Sequence, residues 1–309
     1  MKVDGTLLKE LQIFKVVSLS GGLTNAQYPL NKDASAISRA ISSLETRLKV
    51  VLCERGRKGF KLTREGEAVL AHTKRLFAAL EHFEKQILEL GDELSGALVL
   101  GIIDNIIADP NCPLAGTLKR LSDQRIQGVA HLTMDVSVYT PYELERLLLD
   151  QTLDLAIGIF EHRHNALNYI ELYQETDALY CSPQSQLWAM FKAQHSHAER
   201  CQLLSKQAFF ARNFLNQSDI ESLGFPTLGP VCYTENLEAL TFQIISGESI
   251  GFIPMHYAKT FEQRGQLVAI MPSHIQRRSS IQLATRKGDM GNRATLQHIV
   301  QCLLDQNSN

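Results

Sequence analysis

The chain predicts an α/β protein in three successive parts: an N-terminal winged helix-turn-helix, one long helix, and a two-lobed α/β domain. Three observations carry that prediction. Residues 7–62 hold three helical apolar patterns and then two short strand patterns around a two-glycine tip. Residues Val69, Thr73, Leu76, Leu80, Phe83, Ile87 and Leu90 are spaced alternately 4 and 3 apart, the heptad signature of a paired helix. Beyond Gly96 short strand-like and helical runs alternate, as in folds built from crossover units.

Composition and charge set the frame for these elements. With 309 residues, 44% hydrophobic and 21% charged, the chain is long enough for more than one core. Its six cysteines (53, 112, 181, 201, 232 and 302) show no CxxC spacing, which points to a reducing compartment rather than a disulfide framework. No leader pattern and no run of 18 apolar residues is visible, so a cytoplasmic protein with no membrane partner is expected. The net charge of −2 conceals an asymmetry: residues 1–65 hold 12 Lys/Arg against 6 Asp/Glu, and the remainder holds 19 against 27. A basic head on an acidic body suggests an anionic partner for the head.

In chain order, Leu8, Leu11, Phe14 and Val17 form one face of a first helix that Gly21-Gly22 ends. Residues 23–45 then read as two short helices around a tight turn, with Leu23, Ala26, Leu30, Ile37, Ile41 and Leu44 as the buried side. Thr24 and Asp33 are the candidate caps, since each side-chain oxygen can accept from an orphan backbone N–H. Pro29, which has no N–H, predicts a shortened or distorted turn in the first of these helices. The second presents Ala34, Ser35, Ser38, Arg39 and Ser42 on its open side, with Lys32 just before it. Such a small-residue face with one Arg fits the DNA major groove, where Arg reads guanine or grips phosphate. Val50–Glu54 and Lys61–Leu62 follow as a hairpin whose tip carries Arg55, Arg57 and Lys58, a basic wing suited to phosphate or the minor groove.

From Leu7 to Gly66 this order of residues resembles the LysR-type transcriptional regulators. Phe14, Ala26, Leu30, Ser38-Arg39, Ile41, Leu44-Glu45, Leu48, Leu52, Glu54-Arg55 and Leu62-Thr63 fall where that family has them. The turn departs: Lys32-Asp33-Ala34-Ser35 stands where the family usually has Val-Ser-Gln-Pro, so a glutamine that often contacts DNA is missing. The resemblance implies a DNA-binding domain over 1–64 and a linker helix over 65–92 that couples two heads through Val69, Leu76, Leu80, Phe83 and Ile87. It further implies a periplasmic-binding-protein-like effector domain over 93–309, with lobe I at 93–170 and 274–309 and lobe II at 171–273. The chain would then be a homodimer or homotetramer that takes double-stranded DNA and a small-molecule effector, and also RNA polymerase if it is an activator.

For that last domain the residues predict strands at 97–103, 132–138 and 153–159 alternating with helices at 114–122 and 142–149, and hence a parallel sheet. The second half repeats the theme, with strands near 209–211, 231–233, 250–252, 267–270 and 280–285 and helices at 237–246, 257–264 and 294–304. Ligands of such sheets bind beyond the carboxyl ends of the strands, near helix N-termini. This selects Asp104 and Asn105 after the first strand, Thr140 and Pro141 in a Thr-x-x-Glu capping box after the second, and Arg212, Asn213 and Thr234 opposite. A cap alone would also explain Thr140. Arg212, the cation of the set, could clamp a carboxylate-bearing metabolite or equally pair with a neighbouring acid, and Asp104 beside the same cleft could instead receive an ammonium or hydroxyl group.

Enzymatic readings lack residues. There is no P-loop, G-x-G-x-x-G, G-x-S-x-G or H-E-x-x-H. His162/His164 and His195/His197 sit in polar, loop-like stretches without neighbouring ligands, so neither a metal nor another cofactor is expected. A receptor whose N-terminal domain serves assembly only is the alternative to the regulator, and the basic head weighs against it.

Overall fold

The computed structural model describes residues 3–56, 59–88, 95–127, 131–161, 163–215 and 226–306. The chain divides into two compact units, Met1–Glu84 and Lys85–Asn309. The first contains α1 (Gly5–Leu19), α2 (Leu23–Leu30), α3 (Ala34–Leu48), β1 (Cys53–Gly56), β2 (Gly59–Leu62) and most of α4 (Arg64–Leu88). Its core is the apolar set that recurs at helical spacing: Leu7, Leu11, Phe14, Val17, Ala26, Ile37, Ile41 and Leu44, closed by Leu52. Each large aliphatic or aromatic side chain among them contributes roughly 1.5–3 kcal/mol by leaving water. Burial thus decides which side of α3 stays outside.

Local chemistry sets the element ends. Asp33 caps α3, its carboxylate accepting the Ala36 N–H at 2.6 Å. Thr24 does not cap α2, because Gly22 does so at φ 148°, a backbone conformation that favours glycine, and the helix is under way before Thr24. Pro29 is tolerated in the last turn of α2, and Asn31 in the left-handed region (φ 47°) closes the helix one residue after Leu30. The expected disturbance is therefore an early end rather than a kink. The hairpin pairs Cys53 with Leu62 through Gly56 with Gly59, and its tip residues Arg57 and Lys58 lie outside the described residues.

Thr63 caps α4 by accepting the Gly66 N–H at 2.9 Å. Gly66 itself permits close approach, since a Cβ there would meet the Leu52 carbonyl oxygen at 1.9 Å. The helix consequently starts pressed onto its own head. Val69, Leu76 and Phe77 pack against the head core, Thr73 is buried, and Lys15 lies 5.4 Å from the Phe77 ring centre. This departs from the expected pairing seam: its first half is spent within the unit, where Val69 and Leu76 pack on the head's own core. Leu80 is half-buried, Phe83 and Ile87 are exposed, and Leu90 lies outside the described residues.

The second unit runs β3 (Ser95–Ile102), α5 (Leu114–Ile126), β4 (His131–Val138), α6 (Pro141–Leu149), β5 (Leu155–Gly158), β6 (Leu167–Cys181), α7 (Gln186–Ala193) and α8 (His197–Ser205). It continues with β7 (Ala208–Arg212), β8 (Val231–Thr234), α9 (Leu237–Ile245), β9 (Ser249–Pro254), α10 (Met255–Gln263), β10 (Val268–Ala269), β11 (Gln276–Arg286) and α11 (Ala294–Gln306). One sheet has the order β4-β3-β5-β11-β6-β9-β7-β8, with β10 on β6. It is mixed, not parallel as expected. The crossover pairs β3/β4, β3/β5, β7/β8 and β7/β9 are parallel, whereas β11 lies antiparallel to both β5 and β6. The reason is that β6 and β11 carry the chain between lobes in opposite directions. Helix α7 occupies a stretch to which no element was assigned, and α8 starts within the expected loop around His195 and His197, with a Ser196–Glu199 capping box that was legible in the sequence.

The cores locate the lobe junction. The first lobe's core reaches Leu172 on β6 and Ile281 on β11, and the other lobe's begins at Ala178 and Ile275. Lobe I is locked by Asp154, which accepts from Val99 N–H at 2.8 Å and from the fully buried Arg293 at 2.6 Å. That pairing gives the Leu153–Gly158 segment its polar residue a structural role, since a buried guanidinium requires a partner.

Candidate functional site

The head offers α3. Lys32, Ser35, Arg39 and Ser42 are exposed and Ala34 and Ser38 are half-buried. Ser35 donates its hydroxyl proton to Asp33 at 2.6 Å. That bond, with the Ala36 N–H, holds the Asp33 carboxyl below its ordinary value. Its proton thus committed, Ser35 presents lone pairs and suits a base amino group better than a phosphate. Arg47 is engaged with Asp4 at 2.7 Å, leaving Arg39 as the exposed guanidinium of α3. Arg55 lies on β1 opposite Phe60.

In the second unit a cavity of about 1020 Å³ lies between the lobes. Thr140, Pro141, Tyr142 and Phe160 line it from lobe I, and Asn213, Phe214 and Tyr233 from lobe II. Its charged lining is acidic in balance: Glu143, Glu145, Glu161 and Glu235 against Arg146. Asp104, Asn105, Arg212 and Thr234 do not line it. Asn105, at φ 62°, makes the turn after β3, and Thr234 accepts the Asn236 N–H at 3.4 Å ahead of α9.

Arg212 is not an open clamp, contrary to the expectation. It is 5% exposed, ion-paired with Asp104, and stacked over Phe214 at 4.9 Å. The other Asp104 oxygen accepts the Leu237 N–H, the first of α9, at 2.8 Å. A protein carboxylate therefore occupies the anion position at that helix N-terminus. The N-terminus of α6 is taken in the same way. Glu143 accepts the Thr140 N–H at 3.0 Å and its hydroxyl at 2.9 Å, which holds the Glu143 carboxyl below its ordinary value. Both helix ends are therefore served by acids of the chain itself, Asp104 and Glu143.

Sequence reasoning also missed the polar residues at the lobe junction. Glu175 and Asp177 lie two apart on β6 and are buried. Burial, then the Asp177 charge, pushes Glu175 up to about 8, and burial raises Asp177 as well. Arg277 on β11 pairs with Asp177 at 3.4 Å and Glu161 at 3.0 Å. Two acids at strand spacing, just ahead of the apolar run Ala178–Cys181, were the available signal. The expected histidine pairs behave as surface groups: His195 and His197 are exposed, the exposed His164 accepts the Ala166 N–H at 3.1 Å, and His162 lies outside the described residues.

A winged head followed by a two-lobed sheet with an inter-lobe cavity invites comparison with known proteins. The family model described as bacterial regulatory helix-turn-helix protein, lysR family, matches residues 8–67, and that of the LysR substrate binding domain matches 91–308. The chain belongs to the LysR family of transcriptional regulators. This LysR-type regulator is 31% identical to the HTH-type transcriptional activator BauR of Pseudomonas aeruginosa over 91% of its own length and 89% of BauR's. Its fold is that of full-length CbnR in the crystal structure with its target DNA, at 19% identity, TM-score 0.66, and coverage of 98% and 100%. ArgP of Mycobacterium tuberculosis shares the fold at 18% identity, TM-score 0.59, and coverage of 100% and 98%. As members of this family do, the LysR-type regulator combines a DNA-binding head with an effector-binding domain. Among its described residues no helix is long and apolar enough to cross a membrane.

Proposed function

We propose that the regulator reads its operator through α3, with Arg39 on a base or phosphate, Ser35 and Ser42 beside it, and the wing residues Arg55, Arg57 and Lys58 on the backbone. The exposed Ser/Arg face of α3 supports this reading, and the solved complex of CbnR with its target DNA is its precedent. Two or four copies assemble through Leu80, Phe83 and Ile87 of α4, in the cytoplasm, and RNA polymerase is the further partner if the protein activates.

The effector occupies the inter-lobe cavity, and the single observation behind this is a space of about 1020 Å³ walled by both lobes. Its acidic lining, with Arg212 already neutralised by Asp104 and Glu161 paired with Arg277, favours a ligand that presents an ammonium or other donors to Glu145 or Glu235. A carboxylate on the same ligand would face Arg146. Effector binding shifts the lobe equilibrium only by its differential affinity for the two arrangements. Through the paired α4 helices that shift would alter how the heads are spaced on DNA.

The test is genomic footprinting of the full-length protein, followed by calorimetry against metabolites of the controlled genes. Amine-bearing compounds whose binding is weakened by Glu235→Gln are expected. Binding only of anions, unaffected by changes in the cavity, would overturn the effector reading while leaving the DNA reading intact.

A further inference from the structure

Where the lobes meet, three side chains far apart in sequence converge: Asp109 from the turn after β3, Glu175 from the middle of β6 and His256 from the first turn of α10. His256 Nδ1 lies 3.4 Å from Asp109 Oδ2 and 3.9 Å from Glu175 Oε1. All three ligand atoms fall within 4.8 Å of one another. Asp109 and Glu175 are buried and His256 is 12% exposed. None of the three lines the inter-lobe cavity described above.

The arrangement lacks something positive at its centre. A carboxylate oxygen accepts hydrogen bonds and does not donate them, so the two acids cannot satisfy each other. Asp109 accepts the Asn111 N–H at 2.8 Å, but among the described residues Glu175 receives no hydrogen bond. His256 Nε2 is buried without a well-formed hydrogen bond, the Asn105 backbone lying beside the ring. Asp177, on the same strand face as Glu175 and 4% exposed, keeps Oδ1 buried with no partner, and its charge bears on Glu175. The neighbouring cations are committed, Arg212 to Asp104 and Arg277 to Asp177 and Glu161. Two buried carboxyls and an imidazole thus face one another with no cationic side chain of the described residues between them, an arrangement that a bound cation would satisfy.

We propose that Asp109, Glu175 and His256 bind a first-row divalent cation, Zn²⁺ or Mn²⁺, tying lobe I, the crossing strand and lobe II together. Two hard carboxylate oxygens with one imidazole are a donor set for these ions. Zn–ligand bonds of about 2.0–2.1 Å at tetrahedral angles put ligand atoms about 3.3–3.4 Å apart, close to the His256–Asp109 separation. Glu175 closes to bonding distance by a small side-chain adjustment, and water completes the shell. Because its ligands come from both lobes, the cation favours one lobe arrangement, so it and the effector would influence each other's binding reciprocally. No metal was expected from the sequence because its histidine pairs lie elsewhere.

The experiment uses full-length protein stripped with chelator and titrated with ZnCl₂ and, separately, MnCl₂ by calorimetry, with thermal melting in parallel. Wild type is expected to bind one cation per chain and to melt higher when loaded. Glu175→Gln and His256→Gln should each lose about tenfold or more in affinity, while His195→Gln/His197→Gln should bind as wild type does. Should either ligand variant fail to fold, Co²⁺ loading of wild type decides: visible d–d absorption, abolished by one equivalent of Zn²⁺ and retained in the His195/His197 variant, supports the site. The proposal is overturned if wild type binds neither cation, if folded ligand variants bind as well as wild type, or if binding is lost with His195 and His197.

Discussion

Replacing Asp104 tests the contact that joins the lobes. Its carboxylate serves Arg212 and the Leu237 N–H, and Arg212 is 5% exposed. In Asp104→Asn the amide oxygen can keep one of these bonds but not the charge. The lost charge-assisted hydrogen bond is worth about 1.5–3 kcal/mol. A fully orphaned buried charge costs about 3–5 kcal/mol, but Glu175 and Asp177 lie close enough to Arg212 to feel its charge and take up part of that. We expect about 2–3 kcal/mol for Asp104→Asn, and about 3–5 kcal/mol for Asp104→Ala, which also strands the Leu237 N–H.

The assay is urea unfolding of the full-length protein, followed by fluorescence of Trp188, the single tryptophan. Trp188 sits on α7 in lobe II, stacked on Phe191 at 5.6 Å, and reports that lobe without interference from the head. A double-mutant cycle with Arg212→Met isolates the pair and should show coupling of about 2 kcal/mol. Stability of Asp104→Asn within about 0.5 kcal/mol of wild type, or additive effects in the cycle, would refute the reasoning, since neither fits a neutralised buried charge.

Three further outcomes are expected. Arg39→Ala should weaken specific DNA binding by roughly 1–3 kcal/mol in a fluorescence-anisotropy titration, with the melting curve unchanged; undiminished binding would remove α3 from DNA reading. Phe83→Glu charges an exposed seam residue, 58% exposed, and should reduce the sedimenting mass without unfolding the chain, so an unaltered mass would show that assembly lies elsewhere. Thr140→Ala removes the α6 cap and should cost about 1 kcal/mol. Because the Glu143 carboxyl is held below its ordinary value by the same cap, that contribution is present above its unfolded pKa and fades as pH falls through the folded one. The gap between wild type and Thr140→Ala should therefore narrow in acid by the part that the Thr140 hydroxyl–Glu143 carboxylate bond contributes, and a gap independent of pH would contradict the capping-box account.

What the sequence determined by itself was everything governed by neighbours within a turn or a strand. The apolar face from Leu11 to Leu44 (with Leu7 buried in place of the expected Leu8), the Asp33 cap, the Thr140–Glu143 box and most strands beyond Gly96 were legible because helical and strand periods record burial directly. The α3 face was legible for the complementary reason: residues excluded from that pattern must point outward.

Tertiary structure alone decided the rest. Val69 and Leu76 have the spacing of a pairing seam, but only the packing of α4 on the head core spends them inside the head. Arg212 looked like a free cation until β7 brought it to Asp104, 108 residues away. Asp109, Glu175 and His256 carry no motif, being gathered by a turn, a crossing strand and a helix start from different parts of the chain. Charges pair through space, and their energy depends on burial and distance, neither of which a linear pattern encodes. Periodicity reveals which side of an element is inside, while the sheet order decides which charge it meets there.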